Sequence, residues 1–179
     1  QFSEKNLHRL SGQGHFVELE SPVMIGKEAN VFTAITKTKK RVIVKMYRLE
    51  NANFNKMHEY LRQDPRYVNL KKGKRNTIFT WTQREYRNLL TARDHVRVPT
   101  PLAVLANILV LEFIGDDKPA PQLKNAWPKD PNKFYNTLLD QVRKLWVDFA
   151  LVHGDLSPFN ILNWNEQPVL IDFSQSSAS

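Results

Sequence analysis

Two carboxylates and an amide near the end of the 179-residue sequence have the types and spacing to do chemistry: Asp155, Asn160 and Asp172. Asp155 and Asn160 stand five positions apart in residues 152–162, where Gly154 and Pro158 prevent a regular helix, so the stretch reads as a loop. Asp172 follows Pro168-Val169-Leu170-Ile171, a short branched apolar run that reads as a buried strand. A carboxylate and an amide on a loop, with a carboxylate at the end of a neighbouring strand, can hold a hard cation through oxygen. Phosphoryl-transfer sites hold magnesium in this way and leave one loop carboxylate to orient the nucleophile.

Such a site needs elements that position phosphates upstream of it. Val23 to Phe32 read as strand, polar turn and strand, with Gly26 and Asn30 suited to tight backbone. The alternation in His15 to Glu20 adds a half-buried strand before Ser21-Pro22. Residues 41–47 (RVIVKMY) form a β-branched strand behind the charged tip at 37–40, interrupted by Lys45. A lysine in such a strand is as commonly edge-exposed or snorkelling. The functional reading projects Lys45 under the 26–30 hairpin towards nucleotide phosphates, held by a glutamate from an adjacent helix. Residues 80–93 read as that helix, with Glu85, Leu89 and Ala92 on one face. Glu85 also fits a capping box with Thr82, in which it would serve only the helix start; a box of Thr80 with Gln83 would release it.

The remaining elements are scaffolding. Residues 51–76 are basic and poorly periodic, with a short helix at 57–62 stopped by Asp64-Pro65 and a flexible basic loop over 71–75. His58-Glu59 lacks the second histidine of a zinc-protease helix, since position 62 is Arg. Apolar segments at 102–104 and 107–114 read as strands, the second leaving its sheet at Glu112-Phe113-Ile114. The backbone there is expected to be unpaired and open to an adenine edge. Residues 116–130, with Pro119, Pro121 and Pro128, mark a lobe boundary. Asp130-Pro131 then starts a helix whose periodic apolar residues, from Tyr135 through Leu139 and Trp146 to Phe149, read as core. The expected division is 1–115 as a nucleotide-binding lobe and 116–179 as a catalytic lobe.

Composition narrows the class. There are no cysteines, which removes disulfides and thiolate chemistry, and no apolar run reaches membrane-spanning length. Charge is uneven: residues 1–98 carry 20 Lys/Arg against 9 Asp/Glu, and residues 99–179 carry 6 against 9. The net charges of +11 and −3 sum to +8. A basic lobe facing polyanions beside a cation-binding lobe fits that split, as does a solvated basic surface. A cytoplasmic protein is the expectation.

In sequence order, the motifs Gly26-Lys27-Glu28-Ala29-Asn30-Val31, Val44-Lys45-Met46-Tyr47 and Arg84-Glu85-Tyr86-Arg87-Asn88-Leu89 resemble the RIO family of atypical protein kinases. Lys118-Pro119-Ala120-Pro121, His153-Gly154-Asp155-Leu156-Ser157-Pro158-Phe159-Asn160 and Ile171-Asp172-Phe173-Ser174-Gln175 extend the resemblance, which lies on the type-1 side. It implies an α+β, reduced bilobal kinase-like fold: an antiparallel sheet plus helix, then a smaller, mainly helical C-terminal lobe. It further implies Asp155 as catalytic aspartate and Asn160 and Asp172 as metal ligands. Gly26, Lys27, Glu28, Asn30, Lys45, Glu85, Glu112 and Ile114 would bind ATP. The cofactors implied are ATP and Mg2+, with Mn2+ as an alternative ion. The activity implied is that of an autophosphorylating serine kinase or ATPase acting with pre-ribosomal small-subunit rRNA and assembly proteins, away from membranes. Three departures stand out. Gly26 is the only glycine of its hairpin, Gly154 replaces the usual arginine, and seven residues follow Asp172 where the family adds further helices. Two rivals share parts of the pattern: an idle kinase-like RNA- or protein-binding module, and an aminoglycoside-type phosphotransferase, which carries a large helical substrate lobe after the metal aspartate.

Overall fold

The computed structural model describes residues 1–50 and 52–178. They form two compact units: residues 1–86 with 101–113, and residues 87–100 with 114–179. The boundary expected at 115/116 falls at 113/114, and the segment 87–100 belongs with the second unit.

The first unit is built on an antiparallel sheet in the order β1-β2-β3-β5-β4. Its strands are β1 (Glu18–Ile25), β2 (Ala29–Ile35), β3 (Arg41–Tyr47), β4 (Pro101–Leu105) and β5 (Ile108–Glu112). β1 runs through Ser21-Pro22, where a break was expected. An edge strand tolerates proline because one side of its ladder is open. The ladder shifts register on both sides of Pro22, and the Thr33 hydroxyl replaces lost bonds by meeting Ser21 N at 3.3 Å and Ser21 O at 3.4 Å. β2 and β3 pair without interruption, so Val31 faces Lys45 and Asn30 faces Met46. Neighbouring residues of a strand point to opposite faces. One face carries Ala34, Val42, Val44 and Met46, and packs with Leu7 and Leu10 of helix α1 (Phe2–Gly12). The other carries Ala29 and Tyr47, and packs with Met57 and Leu61 of α2 (Phe54–Gln63) and Ile78 and Trp81 of α3 (Lys74–Ala92).

Residues 52–76, expected to be chiefly basic loop, are largely helical. Asn53 caps α2 by accepting from Lys56 N at 3.2 Å, and Asp64 ends it. A short 3-10 turn, Pro65–Tyr67, follows. Asp64 is fully buried. It accepts from Arg66 N at 3.0 Å, pairs with the Arg66 guanidinium at 2.6 Å, and lies 3.8 Å from the buried Arg84 of α3. Arg84 also donates to Tyr60 O at 3.2 Å and lies over the Trp81 ring. This polar lock fastens α2 and its exit turn to α3. Burial works to raise the Asp64 pKa, but the Arg66 hydrogen bonds and the Arg66 and Arg84 charges outweigh it and hold the carboxyl below its ordinary value.

In the second unit α4 (Pro131–Phe149) starts as expected, with Asp130 accepting from Lys133 N at 3.0 Å and Pro131 at the first position. Beside it lie two small sheets, β6 (Leu151–Val152) with β9 (Ser177–Ala178) and β7 (Ile161–Trp164) with β8 (Gln167–Leu170). The expectation of a mainly helical lobe is thereby refined to one complete helix, the end of α3, two small two-stranded sheets and loops. The periodicity of α4 also resolves into two stripes. Phe134 and Leu145 are buried, whereas Tyr135, Leu139, Trp146 and Val147 are exposed, Trp146 by 53%. Among the described residues no helix is long and apolar enough to cross a membrane.

Candidate active site

In the first unit Lys45 stands in the middle of the sheet, not at an edge, and is 8% exposed. Its Nζ meets Glu85 Oε1 at 3.0 Å, and Glu85, 1% exposed, also accepts from the Tyr47 hydroxyl through Oε2. The helix begins at Lys74, six residues before the expected start, so both capping boxes fall inside it. Thr82 Oγ1 donates back to Ile78 O at 2.8 Å. Glu85 is therefore free of a capping role and serves Lys45. A buried lysine retains its charge only with such compensation. Tyr47 went unread, although its position two residues beyond Lys45 puts it on the same face of β3.

The β1–β2 turn is tight: Gly26 N donates to Ala29 O at 2.9 Å, and Arg48 N donates to Glu28 O at 2.8 Å. Lys27 and Glu28 are exposed there. Asn30 does not join them. Pairing with Met46 turns its side chain to the face of the sheet opposite Lys45, which leaves its backbone as the part expected to meet ATP. At the strand exit, Glu112 pairs with Val42 in the ladder. Ile114, expected to be unpaired, accepts from Ala120 N at 2.8 Å through its carbonyl. Its side chain is buried with Ala120 and Val169. The Ile114 N–H has no acceptor among the described residues, which narrows any adenine contact there to a donor.

In the second unit the loop from His153 to Asn160 connects β6 to β7. Asn160 Nδ2 donates to Asp155 O at 2.9 Å and to Asp155 Oδ2 at 3.0 Å. Both partners are acceptors, which fixes the amide orientation and turns the Asn160 carbonyl oxygen away as a ligand for a cation. Ile171 N donates to Asn160 O at 3.0 Å, tying the loop to the strand exit. Asp172 adopts a left-handed backbone, φ 59°, and its Oδ1 accepts from Ser174 Oγ at 2.7 Å. An aspartate tolerates this conformation better than most residues, and such strain persists only where surrounding contacts enforce it. An amide oxygen and a carboxylate suit a hard divalent ion. No cluster of three or more His, Asp or Glu able to hold a metal occurs among the described residues.

His153 is the residue that sequence reasoning missed. It is buried, with Nε2 2.9 Å from Ile171 O and Nδ1 accepting from Asp155 N at 3.2 Å. Those partners demand the neutral tautomer with the proton on Nε2. Desolvation lowers its pKa against the opposing pull of the Ile171 carbonyl, Asp172 and Asp155. One ring thus sets the backbone of both aspartate-bearing segments. Buried Asn88 extends the network by donating to Phe173 O at 2.9 Å and Ser176 O at 2.8 Å, while Ser176 Oγ donates to His153 O at 2.7 Å. An asparagine on the apolar side of a helix was the available signal.

The glycine of His-Gly-Asp has a local reason. Gly154 has φ 84°, and a Cβ there would lie 2.6 Å from Gln175 O. Gly154→Ala is expected to lower stability by about 1–2 kcal/mol from the left-handed backbone alone, with a further loss from the contact with Gln175. Urea unfolding of the variant beside wild type measures it.

A five-stranded antiparallel sheet with a buried strand-lysine–helix-glutamate pair, followed by an Asp-x-x-x-x-Asn loop and a strand-end aspartate, defines the protein-kinase-like class in reduced form. Comparison agrees. The chain covers 96% of itself and 52% of the Rio2 kinase–ADP/Mg2+–phosphoaspartate crystal structure from Chaetomium thermophilum, with TM-score 0.69 and 22% identity, a likeness of fold. The RIO domain model matches residues 30–179, and the chain belongs to the RIO family. It is 39% identical over 163 residues to the RIO-type serine/threonine-protein kinase Rio1 of Methanocaldococcus jannaschii, covering 90% of this chain and 56% of that protein. Against human serine/threonine-protein kinase RIO1 the identity is 32% over 176 residues, 95% of this chain and 31% of that one. The chain thus spans little more than half the length of the archaeal relative and a third of the human one.

Proposed function

We propose that this chain carries the magnesium-dependent ATP phosphotransferase site of a type-1 RIO kinase. The observation that carries the reading is the complete, ordered set of chemical groups: the Lys45–Glu85 pair, the Asp155–Asn160 loop and Asp172. Lys45 binds ATP phosphate oxygens while Glu85 and Tyr47 hold it in position. Glu112 and Ile114 supply backbone to the adenine, and the turn at Gly26, Lys27 and Glu28 covers the phosphates. Asn160 and Asp172 would hold Mg2+, and the ion would supply charge neutralisation to the phosphates. Asp155 accepts the proton of the attacking serine hydroxyl or water. The new P–O bond forms as the γ-phosphorus–bridging oxygen bond breaks, and ADP leaves. By the resemblance, autophosphorylation, a cytoplasmic setting and work on the maturing small ribosomal subunit go with this reading, and the basic first half of the chain suits that subunit's RNA.

The test is incubation with γ-labelled ATP, with and without Mg2+, following both released phosphate and label on the protein. Magnesium-dependent turnover is expected; acid-stable label identifies serine, and hydroxylamine-labile label an aspartyl phosphate. Absence of both ATP binding and turnover would leave the idle-module reading, which the +11 charge of residues 1–98 favours.

A further inference from the structure

A cavity of about 670 Å³ opens in the first unit beside Tyr47, with neither Lys45 nor Glu85 on its lining, which includes Phe2, Asn30, Met46, Arg48, Lys74 and Arg75. We propose that this cavity binds a phosphate-bearing small molecule with an apolar body.

Its charge is the first reason. None of the described carboxylates pairs with Arg48, Lys74 or Arg75. Glu50, also on the lining, is exposed and offers its backbone carbonyl to Lys74 Nζ at 3.5 Å. Lys74 Nζ rests 4.4 Å from the centre of the Phe54 ring, and the Arg75 guanidinium 4.8 Å from that of Phe2, itself stacked on Phe79. Aromatic faces thus hold two cations in place without cancelling their charge. Lys74 and Arg75 begin the 19-residue α3, which has no acidic residue in its first turn, and the positive end of that helix dipole adds to the field.

Asn30 is the second reason. Its pairing with Met46 sets it beside another residue of the lining. The amide makes no hydrogen bond among the described residues, and its oxygen is buried without a partner. The amide nitrogen of such a side chain can donate two N–H bonds to an anion, while its buried oxygen, an acceptor, takes no part. Ser3 Oγ, already accepting from Asn107 Nδ2 at 3.0 Å, has its proton to give. The lining combines these donors and cations with the apolar side chains of Phe2, Met46 and Leu49, a mixture that suits a phosphomonoester better than bare phosphate. The volume lies within the roughly 300–1,000 Å³ of small-molecule sites.

The experiment is a titration of the folded chain with phenyl phosphate, without Mg2+ or nucleotide, read by nitrogen-resolved NMR. Inorganic phosphate and phenol serve as parallel arms. Saturable shifts are expected at the Asn30 side-chain amide and at Arg48, Lys74 and Arg75, with phenyl phosphate binding more tightly than either arm. Arg75→Ala, at an exposed position, and Arg48→Ala are each expected to weaken binding by about tenfold, while the Lys45 resonance of the wild type stays unshifted. Three results overturn the proposal: shifts that fail to saturate, unchanged affinity in both arginine variants, or saturable shifts at Lys45 in place of the cavity residues, which would place the anion in the nucleotide site. Binding of a single-stranded oligonucleotide without any of phenyl phosphate would also overturn it and assign the charge to nucleic acid.

Discussion

Asp172→Asn is expected to cut magnesium-dependent ATP turnover by about a thousandfold, the upper range for losing one preorganised electrostatic contact to the transition state. The substitution keeps the shape of the side chain and an oxygen for Ser174 Oγ, so the left-handed turn at residue 172 should survive. What disappears is the negative charge that would face a divalent ion in the proposed site. Asp155→Asn is the informative companion. It keeps an oxygen for the Asn160 amide but cannot take a proton, and loss of a general base costs about 10²- to 10⁴-fold. The two variants should differ in kind. Asp172→Asn should raise the magnesium concentration needed for half-maximal rate, whereas Asp155→Asn should lower kcat with KM for ATP near wild type. Steady-state kinetics across a magnesium series checks both. Asp172→Asn turnover within tenfold of wild type, with the same magnesium dependence, would remove Asp172 from the metal site.

The largest loss of stability is expected at a residue with no part in catalysis. Asp64→Ala leaves the buried Arg84 without its carboxylate, and breaking a buried pair from one side costs about 3–5 kcal/mol. The pH dependence has a defined sign. The folded-state pKa of Asp64 lies below the ordinary 3.8, so its ionised form stabilises the fold above that value, and the contribution is lost as pH falls through the lowered pKa. Urea unfolding should therefore show the wild type far more stable than the variant at neutral pH, with the gap narrowing in acid below 3.8. A neutral-pH difference under about 1 kcal/mol, the level of an exposed ion pair, would show that water reaches the pair.

What the sequence made legible was largely what depends on spacing. Asp155, Asn160 and Asp172 could be read because loop and strand patterns fix where each side chain emerges. Asp130-Pro131 announced α4 because a cap acceptor followed by proline has one common use. Elements held by distant partners were harder to read. The start of α3 lies in a run of lysine and arginine with no capping signal, while Thr80 and Thr82 offered false ones. Asp64 looked like a helix stop, and it is one, but its burial depends on Arg84, twenty residues away. Asn30 sits in the turn motif, yet strand register sends it to the other face. His153 looks like any loop histidine until Ile171 and Phe173 close over it.

The exposed stripe of α4 has a colloidal consequence. Tyr135, Leu139, Trp146 and Val147 offer an adhesive surface, while a net charge of +8 makes copies of the chain repel one another. That repulsion reaches about 30 Å in 0.01 M salt and only about 3 Å in 1 M salt. Ionic strength therefore sets whether neighbouring molecules meet at these side chains. Dilute buffer should keep the 179-residue chain better dispersed than concentrated salt does, which light scattering across a salt series checks.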